Sequence, residues 1–133
     1  VMGYTFKLNS DDDYILILKN PSAEAVALLV DVKISDKIYS YLSLRKGDIS
    51  RKREVLKTLS DDIELIRNKN RDDKFIDKVS RVMQCVRHPK EDKIKTDEYF
   101  FNDEEESMDE LFNMFISVLS IDRAKNMIKK WNI

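Results

Sequence analysis

Two pairs of charged side chains have the residue types and the spacing that chemistry at a site would need. Arg81 and His88 lie seven positions apart in the segment RVMQCVRH, so they would share a face of a straight helix, where their side chains can converge. Asp31 and Lys33 lie two positions apart and would project from the same side of a strand. The chemistry expected of each pair follows from the family motif that its spacing resembles.

The spacing of Arg81 and His88 resembles the signature of HEPN-type helical ribonucleases, in which an Arg is followed by a few residues and then a His. The resemblance covers only the segment from Arg81 to His88. It implies a metal-independent ribonuclease whose Arg and His polarise the ribose 2′-hydroxyl and the scissile phosphate. The alternative interpretation is a solvated Arg and a histidine at a helix end, where the helix dipole favours a positive charge.

The segment Asp31-x-Lys33 resembles the (D/E)xK half of the PD-(D/E)xK nuclease motif. This resemblance implies that Asp31 binds Mg²⁺ and Lys33 positions a water molecule, with Asp13 or Glu24 as the upstream acid. An exposed strand face would show the same two residues without any such role. The run Asp11–Asp13 lacks EF-hand spacing, and we interpret it as a solvated turn.

Composition excludes several classes of site. The 24 basic residues nearly cancel the 25 acidic ones, so the net charge of −1 gives no general attraction to nucleic acid or to an anionic membrane. Two glycines are too few for a phosphate-cradling loop or a dinucleotide fingerprint, and one histidine and one cysteine cannot form a multi-histidine metal site or an internal disulfide. We expect no metal ion and no cofactor. With no signal peptide and no apolar run near 18 residues, we also expect a cytoplasmic protein that has no membrane partner.

An acidic segment with aromatic residues is the strongest sign of a binding surface. Between Asp97 and Glu110 there are eight acidic residues and no basic one. Aromatic side chains supply contact area while the charges steer encounter, so this segment predicts a site for a protein partner. The alternative is a lid of aromatic residues folded back onto the helices. The predicted partner-binding residues are Tyr99, Phe100, Phe101, Glu104, Glu105 and Glu106.

Basic residues are concentrated in two places, at the junction that follows residue 45 and near the end of the chain. Lys and Arg near a helix C-terminus are expected from the helix dipole alone, and Trp131 is the only aromatic residue placed to stack on bases. Nucleic-acid binding is therefore open but not favoured. The two groups are Arg45, Lys46, Arg51, Lys52 and Arg53, and Arg123, Lys125, Lys129 and Lys130.

The first 45 residues have the alternating pattern of strands. Residues 4–8 alternate apolar and polar side chains, and residues 14–18 are apolar on both parities, which predicts a strand that is covered on both faces. Apolar residues at even positions from 26 to 34, and again at Ile38, Leu42 and Leu44 after a short turn, predict two further antiparallel strands within residues 25–45. One long helix is the competing interpretation, because Ile34, Ile38, Tyr41 and Leu42 also have helical spacing.

The remainder of the chain has a helical period. Asp48 is the expected N-cap of the first helix, and Ser107 with Glu110 forms a capping box that begins the last one. We therefore predict an α+β fold in which an antiparallel β-meander over residues 3–45 precedes three to four helices. The predicted helices span about 49–68, 73–88 and 107–131, within a single domain of residues 1–133.

These patterns favour a small non-enzymatic protein that acts by binding another protein, as an inhibitor, an immunity-type protein or a regulatory accessory. A homodimer is also open. The second hypothesis is a HEPN-like ribonuclease that uses Arg81 and His88. The third is a Mg²⁺-dependent nuclease that uses Asp31 and Lys33.

Overall fold

The computed structural model describes residues 3–8, 10–87 and 104–132, apart from the side chains of residues 85 and 87. A two-stranded hairpin is followed by five helices in the described part of the chain, and the predicted α+β class with a helical bundle is confirmed. The elements are β1 (Tyr4–Leu8), β2 (Tyr14–Leu18), α1 (Pro21–Ala27), α2 (Val32–Ser43), α3 (Ile49–Lys69), α4 (Lys74–Arg87) and α5 (Glu104–Lys130).

The hairpin pairs β1 and β2 antiparallel, with Phe6 opposite Leu16 at its centre. Asp12 lies in the turn with φ 60°, a left-handed conformation that Asp tolerates better than most residues. Ile17 is fully buried and Ile15 packs against the core, so this face of the hairpin lies on the helices. The prediction that β2 is covered on both faces is wrong within the described residues, because Tyr14 and Leu18 are exposed on the other face.

Residues 25–45 do not form the two predicted strands. They form the end of α1 and the whole of α2, so the prediction of a four-stranded meander is wrong and the helical interpretation holds for Ile38, Tyr41 and Leu42, which are buried on one face of α2. Of the even-numbered apolar residues that suggested a strand, Val26 lies in α1, Val32 and Ile34 lie in α2, and Leu28 and Val30 lie in the connection between them. Leu28 and Val32 are exposed, one on each side of the break between the helices.

Local capping explains why helices form here. The Asn20 side chain accepts a hydrogen bond from the N–H of Ala23 at 3.1 Å, and the N–H of Asn20 donates to Glu24 Oε2 at 3.0 Å. This reciprocal arrangement starts α1, and Pro21 suits the first helical position. At the start of α2, Asp31 Oδ1 accepts from the N–H of Ile34 at 3.0 Å. Each cap satisfies a backbone donor that a helix leaves unpaired.

The three long helices α3, α4 and α5 pack on one another and enclose most of the core. Their bounds are close to the predicted ones, although α5 begins at Glu104, three residues before the predicted capping box. Asp48 lies at the N-cap position of α3, but its side chain makes no capping bond and instead accepts from the N–H of Arg45. None of the described helices is both long and apolar enough to cross a membrane.

The buried face of α5 stops partway along the helix. Its buried residues run from Met108 to Leu119. The apolar stripe continues to Met127 and Ile128, but both of these side chains are exposed. The second half of α5 therefore extends its apolar surface beyond the core that the first half fills.

Candidate functional site

The acidic residues at the start of α5 meet the basic residues at the start of α3. Glu104 forms an ion pair with Arg53, and Glu105 Oε2 lies 3.1 Å from Lys52 Nζ. The same Glu105 oxygen accepts a hydrogen bond from the N–H of Gly47 at 2.8 Å. Two of the three glutamates predicted to bind a partner, Glu104 and Glu105, thus contact basic residues or backbone N–H groups of this chain.

Lys52 is the most buried cation of the described chain, with 6% of its surface exposed. Its Nζ donates to Asp109 Oδ1 at 2.9 Å, and the Tyr41 hydroxyl donates to the same oxygen at 2.6 Å. The ring of Tyr41 stacks on Phe112 with centroids 4.2 Å apart. These contacts connect α2, α3 and α5 at one end of the bundle. We call the group Lys52, Glu105, Asp109 and Tyr41 the polar network.

The polar network raises the pKa of two of its groups, Lys52 and Tyr41. Burial acts to lower the pKa of Lys52, but the hydrogen bonds to Asp109 and Glu105 outweigh it, so the pKa of Lys52 lies above its ordinary value. Burial, together with the bond to Asp109, raises the pKa of Tyr41. A protonated lysine and a neutral phenol are poor nucleophiles. The adjacent cavity of about 100 Å³ holds little more than a few water molecules. The contacts of the network join α2, α3 and α5.

Of the two residues of the predicted ribonuclease pair, the structure describes Arg81 and not His88. The Arg81 side chain is exposed, and its Nε donates to Asp77 Oδ2 at 2.9 Å, while the other oxygen of Asp77 accepts from Arg67 Nε at 2.8 Å. His88 lies outside the described residues, as do Tyr99, Phe100 and Phe101. The pairing of Arg81 with His88 and the aromatic part of the predicted binding site stay predictions.

Asp31 and Lys33 are placed by a helix and not by a strand. Asp31 caps α2 through its carboxylate, and Lys33 is exposed in the first turn. The strand on which the resemblance to a Mg²⁺ nuclease depended is absent from this segment. No group of three or more His, Cys, Asp or Glu side chains in the described residues is placed to hold a metal ion, and this includes the turn Asp11–Asp13.

A surface groove of about 560 Å³ lies where the α1–α2 connection, the second half of α3 and the second half of α5 meet. Ile66 and Leu119 form its buried floor. Its walls carry three exposed apolar side chains, Leu29, Leu65 and Met127, one from each of these elements. We call this set of five residues the apolar groove. The three exposed side chains come from three separate elements and together offer apolar contact area.

The charged residues along the apolar groove differ in whether they have a partner of opposite charge within the described chain. Asp62 pairs with Lys37 at 2.6 Å, and Asp122 accepts from Asn70 at 2.9 Å. Among the cations, Arg123 reaches only the backbone oxygen of Leu29, at 3.4 Å, and Lys130 is exposed with no ion pair among the described residues. The charged lining residues are balanced, with three acids, Asp31, Asp62 and Asp122, and three bases, Lys69, Arg123 and Lys130. Lys69 lies 3.7 Å from Asp122, so Arg123 and Lys130 are the two cations that the groove offers to an acidic group of a partner.

Sequence reasoning did not find the apolar groove. Leu65 lies off the buried stripe of α3, and Leu29 was assigned to a strand, so neither appeared as part of a surface. The signal that could have found it is the continuation of the α5 apolar stripe to Met127 and Ile128 beyond the length that the core can cover.

Comparisons of this chain with protein-family models, curated proteins and solved structures gave no match.

Proposed function

We propose that this chain is a non-enzymatic protein-binding module and that the apolar groove is its docking site. The observation that supports this most is the exposure of Leu29, Leu65 and Met127 around a floor that is already buried. Exposed apolar side chains that converge from separate elements are typical of protein interfaces. The polar network lies near the other end of α5, at Glu105 and Asp109.

The partner segment that fits the apolar groove is an amphipathic helix with acidic residues beside its apolar face. A helix laid between α3 and α5 would cover the exposed leucines, and its acids would face Arg123 and Lys130. Met127 adapts readily to the shape of a partner because its side chain is unbranched and flexible. A segment with basic flanks would meet these cations and bind more weakly.

Binding of two synthetic peptides tests this proposal. Both are amphipathic helices with the same leucine face, and one has Glu flanks where the other has Lys flanks. We expect the Glu peptide to bind more tightly by about tenfold or more, and the Leu65→Arg variant to lose at least tenfold of that affinity. Fluorescence anisotropy at low ionic strength gives both dissociation constants.

Phe75→Arg is the matched control, because Phe75 is an exposed apolar residue on α4 that does not line the groove. It should leave the affinity for the Glu peptide unchanged. A protein partner captured from a lysate should likewise be lost from Leu65→Arg and kept by Phe75→Arg. Equal binding of both peptides to all three proteins would contradict the proposed docking site.

A further inference from the structure

The hairpin has an outer face made entirely of apolar and aromatic side chains. Its members lie opposite one another in three cross-strand pairs, Tyr4 with Leu18, Phe6 with Leu16, and Leu8 with Tyr14. Phe6 is 67% exposed and Tyr14 is 75% exposed, with Leu8 at 50% and Leu18 at 45%. A two-stranded sheet needs a cover on its apolar faces, and among the residues that the structure describes the helices cover only the face with Ile15 and Ile17.

The two ends of this outer face have opposite charge. The turn end has three exposed acids in the run Asp11–Asp13. At the other end Lys19 follows β2, and Arg45 Cζ lies 5.9 Å from the centre of the Tyr4 ring, with the exposed Lys46 beside it. The face between the two ends carries no charged side chain.

We propose that the outer face of the hairpin is the interface of a homodimer, in which two hairpins pack face to face and antiparallel about a two-fold axis. In this arrangement the acidic turn of each copy lies against the basic end of the other, so both ends are attractive at once. A parallel arrangement would place acid on acid and base on base. The apolar pairs then form a shared layer between two sheets.

The size of the face sets the expected affinity. Its four exposed side chains leave on the order of 400 Å² of apolar surface on each copy. Two such faces bury roughly 800 Å², which is below the area of a standard stable complex. The charged ends add attraction that depends on salt. We expect a reversible dimer with a dissociation constant of about 10 μM at low ionic strength.

Sedimentation equilibrium of the full chain over about 1 μM to about 1 mM tests the dimer. The wild-type protein should pass from monomer to dimer within this range. Phe6→Glu should remain monomeric, because a charge at the centre of the face would be buried without a partner. Leu65→Asp is the matched control, since it alters the apolar groove and leaves the hairpin intact. A wild-type protein that stays monomeric, or a dimer that Phe6→Glu does not weaken, overturns the proposal.

A charge exchange tests the orientation. Asp11→Lys with Asp13→Lys makes both ends basic, and Lys19→Glu with Lys46→Glu makes both ends acidic. Each double variant should weaken the dimer by about tenfold or more, and all four substitutions together should restore it to within about threefold of wild type. Circular dichroism confirms that each variant is folded. If the fourfold variant is no tighter than either double variant, the antiparallel arrangement is wrong.

Discussion

Asp109 is shared by two donors of different kinds, and this makes it the residue on which the polar network depends. Lys52 supplies a positive charge and Tyr41 supplies a neutral hydroxyl to the same carboxylate oxygen. Lys52 has a second carboxylate, Glu105, so loss of one acid would not leave its charge alone. Among the described residues, the Tyr41 hydroxyl has Asp109 as its one hydrogen-bond acceptor. Its hydrogen bond is therefore the simplest one to measure.

Tyr41→Phe should lower the free energy of unfolding by about 1–2 kcal/mol near neutral pH, because it removes a bond to a charged group and keeps the stack on Phe112. The pKa of Tyr41 is raised in the folded protein, so this contribution is complete below the unfolded pKa of about 10 and is lost as the pH rises above it. Urea unfolding at about pH 7 and about pH 11 measures the difference between wild type and variant.

The difference in free energy of unfolding between wild type and Tyr41→Phe should narrow by up to about 1.4 kcal/mol for each pH unit above about 10. Tyr14→Phe is the control, since Tyr14 is exposed on the hairpin and its substitution should change neither measurement. A difference that is zero at neutral pH, or that widens in alkali, would contradict the role assigned to the Tyr41 hydroxyl.

At the scale of elements, α1 and α2 illustrate why periodicity alone misassigned residues 25–45. Val26, Val32 and Ile34 are β-branched and sit at even positions, which is the pattern of a half-buried strand. Asn20 and Asp31 are caps, however, and a cap acts through one or two hydrogen bonds that a count of apolar spacing does not register. In addition, α1 packs on α5 and α2 packs on β2, and a local count of apolar spacing does not include these tertiary contacts.

Asp31→Ala should lower the free energy of unfolding by about 1 kcal/mol, because it removes the acceptor for the N–H of Ile34. Asp31→Asn should keep most of the stability, since Asn is an equally good N-cap. Urea unfolding measures both variants. Lys33→Ala, on the exposed side of the same turn, should have almost no effect. If Asp31→Ala were as stable as wild type, the cap would not be what begins α2.

The long helices were predictable because local pattern and tertiary packing agree in them, whereas β1 was predictable from its alternation alone, since its apolar residues Phe6 and Leu8 lie on the exposed face. Residues 4–8 alternate cleanly, and Leu56, Leu59, Ile63 and Ile66 form one buried stripe on α3. The apolar groove was not predictable, because it depends on how three elements meet and not on the pattern of any one of them. The acidic run at Glu104 and Glu105 was recognised, but its pairing with Lys52 and Arg53 joins residues about 50 positions apart.

For the whole molecule, the distribution of buried side chains predicts an order of local opening. The core is densest where α3, α4 and the first half of α5 meet, while the hairpin contributes only Ile17 as a fully buried side chain. Amide hydrogen exchange should therefore be slowest in residues 56–66, 76–86 and 108–119. It should be at least tenfold faster in α1 and in α5 beyond Ile121.

Mass spectrometry of peptides after timed exchange measures this order in dilute protein. Leu59 and Phe115, which are both fully buried, mark the segments expected to exchange last. Equal protection along the whole of α5 would contradict the division of that helix into a buried half and an exposed half.

The charge separation along the hairpin also bears on colloidal behaviour. A net charge of −1 supplies little mutual repulsion between molecules, and an uncovered aromatic face would then favour precipitation at high concentration. Two-fold pairing would cover the whole outer face of the hairpin in one step, so association through this face would stop at two copies. The opposite charges at Asp11–Asp13 and at Lys19 and Lys46 would thus favour the closed antiparallel pair over open-ended association of the apolar faces.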